Sequence, residues 1–316
     1  MSQNKRNKET VSADSLSRKI ISKLVVIVAV LFFLIVSISG VISMRSLEEI
    51  TDDKLISIAY ENASLIENSI ENAYGKAVGF ACSLKNISAL PPEQQRQAID
   101  HALEGVLLGD ENFTTVFAYF EQNAIADANG QPYSVHGKEI AYEAVAYLNE
   151  DGTDVTFEKH EDAFDNFDKE YYKTIKSSGE VYVMEPYVYQ LRGQDIMMIS
   201  IIAPVYDAEG GFLGVAGCDV ALADMQTQQY ASAGYRSTHM VALAEDGTVL
   251  LDTADASTVG KVASEAGYET ILADAEELKQ MNEGEYINSI SIVDNKVPNH
   301  ATGRRGIAIT VPMKLS

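Results

Sequence analysis

Asp219 closes a run of apolar and small residues, FLGVAGCDVAL at 212–222. A carboxylate in such a strand costs free energy unless it meets a cation or several hydrogen-bond donors. A ligand ammonium group would satisfy it, and so would a helix cap or an internal hydrogen bond. Tyr171, Tyr172, Tyr187 and Tyr189 combine apolar faces with hydroxyl tips. They suit a pocket that stacks on a ligand and bonds its polar end, and equally an ordinary core. Lys169 can pair with a ligand carboxylate as a point charge or stay solvated at the surface. Asp165, Glu185 and Asp219 together favour a cationic amine over a free carboxylate.

Residues for turnover are harder to find. The chain holds no Gly-x-Ser-x-Gly elbow, no His-Glu-x-x-His and no Gly-x4-Gly-Lys run. Its five histidines, His101, His136, His160, His239 and His300, lack the three- or four-residue spacing of a helical metal site. Acidic clusters at Glu150-Asp151 and Asp274–Glu277 lack the alternating ligands and glycine of a calcium loop and read as solvated faces. No catalytic residue, metal or cofactor is therefore expected. Cys82 and Cys218 are the only cysteines; outside the cell they can form one bridge, or they are two small buried side chains.

Charge sets the surroundings of these residues. Forty-six acidic against 24 basic side chains give a net charge of −22 over 316 residues, which repels phosphate backbones and excludes nucleic-acid binding. Residues 1–44 run the other way, with six basic side chains against Glu9 and Asp14. They end in 21 uncharged residues, LVVIVAVLFFLIVSISGVISM, between Lys23 and Arg45. As a helix this run spans roughly 31 Å, the thickness of a hydrocarbon core. It exceeds a signal-peptide apolar region and lacks an Ala-x-Ala-like site. The basic flank places the N-terminus in the cytoplasm and everything after Arg45 outside, in a chain that crosses the cell membrane once.

The elements that must position the polar residues follow. Leu47, Ile50, Ile58, Leu65, Ile66, Ile70, Ala73, Ala77, Phe80 and Leu84 recur mostly at helical steps and predict a long helix from Arg45 to Lys85, with Pro91-Pro92 beyond it and a short helix at Gln94–Leu108. The stripe makes parallel pairing into a homodimer one use of that helix. Strands are predicted at 115–120, 180–189, 195–206 and 212–222, with turns at Arg192-Gly193 and 207–211. Asp127–Ile175 reads as loops and short helices capping one sheet face. After Tyr230 a hairpin turns at Asp246-Gly247, followed by a helix near Ala263–Met281 and strands near Glu285–Val293 and Gly306–Val311. The fold class is α+β. Its parts are a cytoplasmic tail (1–19), a membrane helix (20–44), a long helix (45–90), and two antiparallel-sheet modules at 91–229 and 230–316.

The segment EPYVYQLRGQDIMMISIIAPVYDAEGGFLGVAGCDVAL, residues 185–222, resembles the signature of double Cache sensor domains, specifically those of methyl-accepting chemotaxis receptors. The resemblance implies two PAS-like modules, of which the membrane-distal one binds a small molecule. Contacts in that family come from an Arg-x-Trp-Tyr-like loop, a tyrosine on the next strand, and the aspartate of a Gly-Val-x-Gly-x-Asp strand. The matching positions are Lys169, Tyr171, Tyr172, Tyr187 and Asp219. Amino-acid-sensing members also carry a tyrosine and an aspartate where this sequence has Phe164 and Tyr189. With Lys169 for Arg and Tyr171 for Trp, the ligand stays open among an amine, an amino acid and a short carboxylate.

A membrane-anchored small-molecule sensor is thus the expected function, set against an anchored extracytoplasmic enzyme or an adhesion module. Similar receptors continue past a strand like GIAITVPMKLS into a second membrane helix and a cytoplasmic output domain. The expectation is a truncated receptor, or else a partner transducer.

Overall fold

A computed structural model describes residues 3–126, 129–131, 134–135, 138–139, 141–158, 166–227, 229–231, 234, 239–244, 246–269, 271, 273, 291–299 and 304–313. The chain divides into two units, Met1–Ser57 and Ile58–Ser316.

The first unit is helical from Gln3 onward, within helix α1 (Gln3–Ser83). Its uncharged run is exposed on every side, Phe32 and Phe33 included. A soluble protein does not leave so many contiguous apolar residues in water. Among the described residues α1 is the one helix long and apolar enough to cross a membrane.

In the second unit the helical stripe becomes a buried face: Ile66, Ile70, Ala73, Ala77, Phe80 and Leu84 are all at most 6 % exposed. Helix α2 (Pro92–Leu108) begins on proline, whose missing N–H costs nothing in a first turn, and buries Ile99, Leu103 and Leu107. There follow strands β1 (Thr115–Phe120), β2 (Ser134–Val135), β3 (Lys138–Glu139), β4 (Tyr142–Leu148) and β5 (Val155–Glu158), helix α3 (Glu170–Ser178), and strands β6 (Tyr182–Val183), β7 (Tyr187–Leu191), β8 (Gln194–Tyr206) and β9 (Phe212–Ala221). Seven of these strands form one antiparallel sheet in the order β5-β4-β1-β9-β8-β6, with β7 also paired to β8. The β7–β8 turn holds Arg192 (φ 54°) and Gly193 (φ 74°) in the left-handed region, the backbone that matches the twist of a two-residue hairpin.

Strand alternation sorts the sheet into two faces. Val116, Ala118, Phe120, Ala144, Ala146, Ile199, Ile201, Ala216 and Cys218 pack with the buried stripes of α1 and α2. Phe117, Val145, Ile202 and Val215 form a second core under Tyr172 and Ile175 of α3. The reading of Asp127–Ile175 as loops and short helices is corrected here, because β4 and β5 lie within it and extend the main sheet beyond β1. YEAVAYL mixes the strand formers Tyr142, Val145 and Tyr147 with the poorer Glu143, Ala144 and Ala146, and pairing with β1 fixes it as a strand. The predicted strand 180–189 is likewise broken at 184–186 into β6 and β7.

The short helix α4 (Leu222–Gln226) leads out of the sheet. Just beyond it, Asn62 of α1 grips the backbone of Ala231: its amide donates to the Ala231 carbonyl at 3.0 Å and accepts from the Ala231 N–H at 2.7 Å. Strands β10 (Val241–Leu243) and β11 (Val249–Asp252) form the hairpin turning at Asp246-Gly247, and β12 (Ser291–Asn299) pairs with β13 (Arg304–Thr310). Of the helix expected at Ala263–Met281, Ala263–Gly267 is turn, Glu269, Ile271 and Ala273 are helical, and 270, 272 and 274–281 lie outside the described residues. Both cysteines are free: Cys82 is exposed, whereas Cys218 is buried with its thiol on the Ala73 carbonyl of α1 at 3.7 Å.

Candidate ligand-binding site

The sheet face turned toward α3 carries the polar residues. Register puts Asp219 of β9 opposite both Thr115 of β1 and Ser200 of β8, so a carboxylate lies between two hydroxyls on the same face. Asp219 is 4 % exposed. Its Oδ2 accepts from Thr115 Oγ1, its Oδ1 from Ser200 Oγ at 2.5 Å, and Tyr187 Oη, 2.8 Å from Ser200 Oγ, reaches Oδ1 at 3.4 Å. Burial pushes the carboxyl up to about 6, and the three hydroxyl bonds oppose that rise. Among the described residues, the side chains bonded to Asp219 are thus neutral hydroxyls.

Two glycines make this strand possible. A Cβ at Gly214 (φ 154°) would fall 2.0 Å from the Tyr119 carbonyl, and one at Gly217 would fall 2.6 Å from both the Ile201 carbonyl and the Phe117 ring. The Gly-Val-x-Gly-x-Asp spacing therefore lets β1 and β8 approach β9 closely on either side of the residue that bears the charge.

The tyrosines divide. Tyr187 is held at Asp219 as described, and its hydroxyl is pushed up by burial and then by the Asp219 charge. Tyr171 donates to Asn166 Oδ1 at 3.3 Å; burial, then Glu143, then Asp219 raise its hydroxyl. Tyr189, raised to about 12, feels burial first, then Glu158 and Asp219. These three and Asp219 share one electrostatic neighbourhood. Tyr172 points elsewhere. It is 1 % exposed, donates to Glu121 Oε1 at 3.0 Å and packs edge-on against Phe167 and Phe212. With Lys176, 2.6 Å from the same Glu121 oxygen, it lines a cavity of about 300 Å³. Neighbouring residues of a helix diverge by about 100°, so Tyr171 and Tyr172 cannot serve one pocket alike.

Lys169 is exposed at the start of α3, Glu185 is exposed between β6 and β7, and Asp165 lies outside the described residues. Sequence reasoning missed Thr115, Ser200, Tyr119 and Glu143. Ser200 was legible as a lone hydroxyl inside an apolar strand, and Thr115 as a hydroxyl opening one. Glu143, 1 % exposed on β4, accepts from Asn166 Nδ2 at 3.3 Å and was hidden by the loop assignment of its segment.

Residues 101–227 match the family model described as methyl-accepting chemotaxis protein-like, first PDC sensor domain. Among solved structures, Methyl-accepting Chemotaxis protein X is 15 % identical with a TM-score of 0.60, covering 86 % of this chain and 94 % of that one. The periplasmic sensory domain of the Campylobacter jejuni chemoreceptor Tlp1 is 14 % identical with a TM-score of 0.58, over 81 % and 88 %. The extracellular domain of mmHK1S-Z2, described as a histidine kinase, is 19 % identical with a TM-score of 0.57, over 84 % and 93 %. No curated protein sequence matches the chain. Residues 101–227 thus carry the sequence pattern of a chemoreceptor-type sensor domain, in a chain with the α+β fold of the extracytoplasmic sensor regions of chemoreceptors and histidine kinases.

Proposed function

We propose that this chain is the sensing part of a membrane-anchored chemoreceptor-type signal transducer, and that its ligand is an amine- or amino-acid-like small molecule. The ligand sits on the α3 side of the main sheet, in the membrane-distal module, with its ammonium group on Asp219 and its body against Tyr171, Tyr187 and Tyr189. One observation carries this reading: a buried carboxylate held, among the described residues, by hydroxyls alone, beside tyrosines whose hydroxyls feel its charge. A cation entering this place gains a charge-assisted hydrogen bond in a partly dehydrated setting. The family match of residues 101–227 supports sensing over turnover. Calorimetric titration of the full chain in lipid nanodiscs with primary amines, α-amino acids and short carboxylates tests the reading. Saturable binding of amine-bearing compounds without their consumption is the expected result, and binding confined to carboxylates lacking an amine would refute it.

The basic N-terminal flank places the tail in the cytoplasm and the second unit outside. Cys82, exposed and free, reports on this directly. A membrane-impermeant maleimide should label it in intact cells and fail to label Cys82→Ala; labelling only after lysis would reverse the topology.

A further inference from the structure

The cavity of about 300 Å³ under α3 joins aromatic rings to an excess of positive charge. Among the described residues, Asp219, Tyr171, Tyr187 and Tyr189 take no part in its wall. Strand register gives the distance. Asp219 stands opposite Thr115, whereas the cavity's Glu121 lies six residues further along, where its N–H donates to the Leu213 carbonyl at 2.8 Å and continues the ladder between β1 and β9. Six residues at the rise of a strand are roughly 20 Å.

Three charged side chains line the cavity, Lys173 and Lys176 of α3 against Glu121. Glu121 is engaged: its Oε1 accepts from Tyr172 Oη at 3.0 Å and from Lys176 Nζ at 2.6 Å. Lys173 Nζ donates to the Asp168 carbonyl at 2.6 Å. An ammonium group has three N–H donors, so each lysine keeps donors to offer after these bonds. Residues three apart on a helix are neighbours, which lets positions 173 and 176 close on the two oxygens of one carboxylate. The net charge of −22 does not forbid this, because physiological salt screens exposed charges beyond about 8 Å and leaves the nearby lysines in control.

The rest of the wall is apolar. Phe167 packs edge-on against Tyr172, their ring centroids 4.7 Å apart, and the Tyr172 hydroxyl is spent on Glu121, so both residues offer the cavity their rings. A ligand bearing only an ammonium would meet two lysines and be repelled. A carboxylate on a flat apolar body suits both parts of the wall.

We infer that this cavity is a second ligand site and that it takes an aromatic monocarboxylate, with the carboxylate on Lys173 and Lys176 and the ring against Phe167 and Tyr172. The site stands independently of the amine reading for Asp219, and it gives the same module an input of opposite charge.

The test uses the full chain in phosphatidylcholine nanodiscs, with empty nanodiscs as the blank, titrated calorimetrically at pH 7.5 with benzoate, benzyl alcohol and acetate. Benzoate should bind saturably and at least tenfold tighter than either of the others, since benzyl alcohol lacks the charge and acetate the ring. Lys173→Met and Lys176→Met keep the aliphatic stems at half-exposed positions, and each should weaken benzoate about three- to tenfold. Glu121→Gln keeps an acceptor for Tyr172 and removes the one acid, so benzoate should bind about three- to tenfold tighter, a gain that a damaged fold cannot produce. Saturating butylamine should leave benzoate affinity unchanged in the wild type. No saturable binding of benzoate, benzyl alcohol binding as tightly as benzoate, affinity unchanged in both lysine variants, benzoate weakened by Glu121→Gln, or displacement of benzoate by butylamine would each overturn the second site. The amine reading fails only on its own titration, so the two failures are distinguishable.

Discussion

Replacing Asp219 by Asn separates a binding role from a structural one, because the two predict opposite changes in stability. The Asp219 carboxyl titrates at about 6 in the folded chain, against an ordinary value of 3.8. That rise of about two units corresponds to about 3 kcal/mol at 1.36 kcal/mol per unit. The sign follows from where the charge is tolerated. Below pH 4 the group is neutral folded or unfolded, and nothing is lost. Between pH 4 and 6 the unfolded chain ionises first, so folding becomes progressively less favourable, and above pH 6 the full cost is present. Asn keeps the shape and removes the charge, so Asp219→Asn should match the wild type near pH 4 and exceed it by up to about 3 kcal/mol at pH 7.5, roughly 6 °C in midpoint. The same variant should bind an amine ten- to hundred-fold more weakly. In the wild type, amine affinity should fall about tenfold per pH unit once pH drops below about 6. Scanning calorimetry of both proteins in nanodiscs at pH 4, 5.5 and 7.5, paired with titration of an amine, measures each quantity. A variant less stable at pH 7.5, with unchanged amine affinity, would show that Asp219 is a strut between Thr115 and Ser200 and would refute the reasoning.

Gly214→Ala should destabilise the second unit by about 3 kcal/mol or more, since its Cβ would overlap the Tyr119 carbonyl, and urea melts should show the loss; a change below 0.5 kcal/mol would contradict the close approach of β1 and β9. Tyr187→Phe should weaken amine binding less than Tyr187→Ala does, because the ring stays and only a hydroxyl bond to Ser200 and Asp219 is removed, at about 1 kcal/mol. Equal losses in titration would place the hydroxyl, not the ring, on the ligand. Asp110 is pushed up by burial, but its bonds to Lys76 and Asn112 hold it below the ordinary carboxylate range, so it stabilises the fold above pH 4 and loses that contribution as pH falls further. Lys76→Met should cost about 1 kcal/mol at pH 7, the cation being partly exposed, and should flatten the acid limb of the stability profile; an unchanged limb would assign it to other carboxylates.

Much of the fold was legible because its patterns are strong. The uncharged run and the stripe on α1 follow from periodicity alone, and β8 and β9 stand within a residue of the runs that announce them. What escaped was decided by pairing across the sheet. YEAVAYL is fixed as a strand by the partner that β1 offers it, and with it came Glu143, which no local signal marks. The site was legible in the same measure. Asp219 was visible as a carboxylate in the wrong company, whereas its hydroxyl partners come from strands 104 and 19 residues away. Tyr171 and Tyr172 looked equivalent in sequence, and the turn of one helical residue sends the second to Glu121.

The grip of Asn62 on Ala231 bears on how sequences of this kind can drift. Because Asn62 reads only the N–H and C=O of position 231, any residue but proline can stand there without altering the bonds. Position 62 has no such freedom, since aspartate lacks the donor and glutamine is a methylene too long for a site 3 % exposed. Variation should therefore run freely along the connecting segment while its anchor, 169 residues earlier on a helix, stays asparagine. An alignment of the segment alone would show nothing, and the constraint would surface as an unexplained polar residue on an otherwise apolar helical stripe.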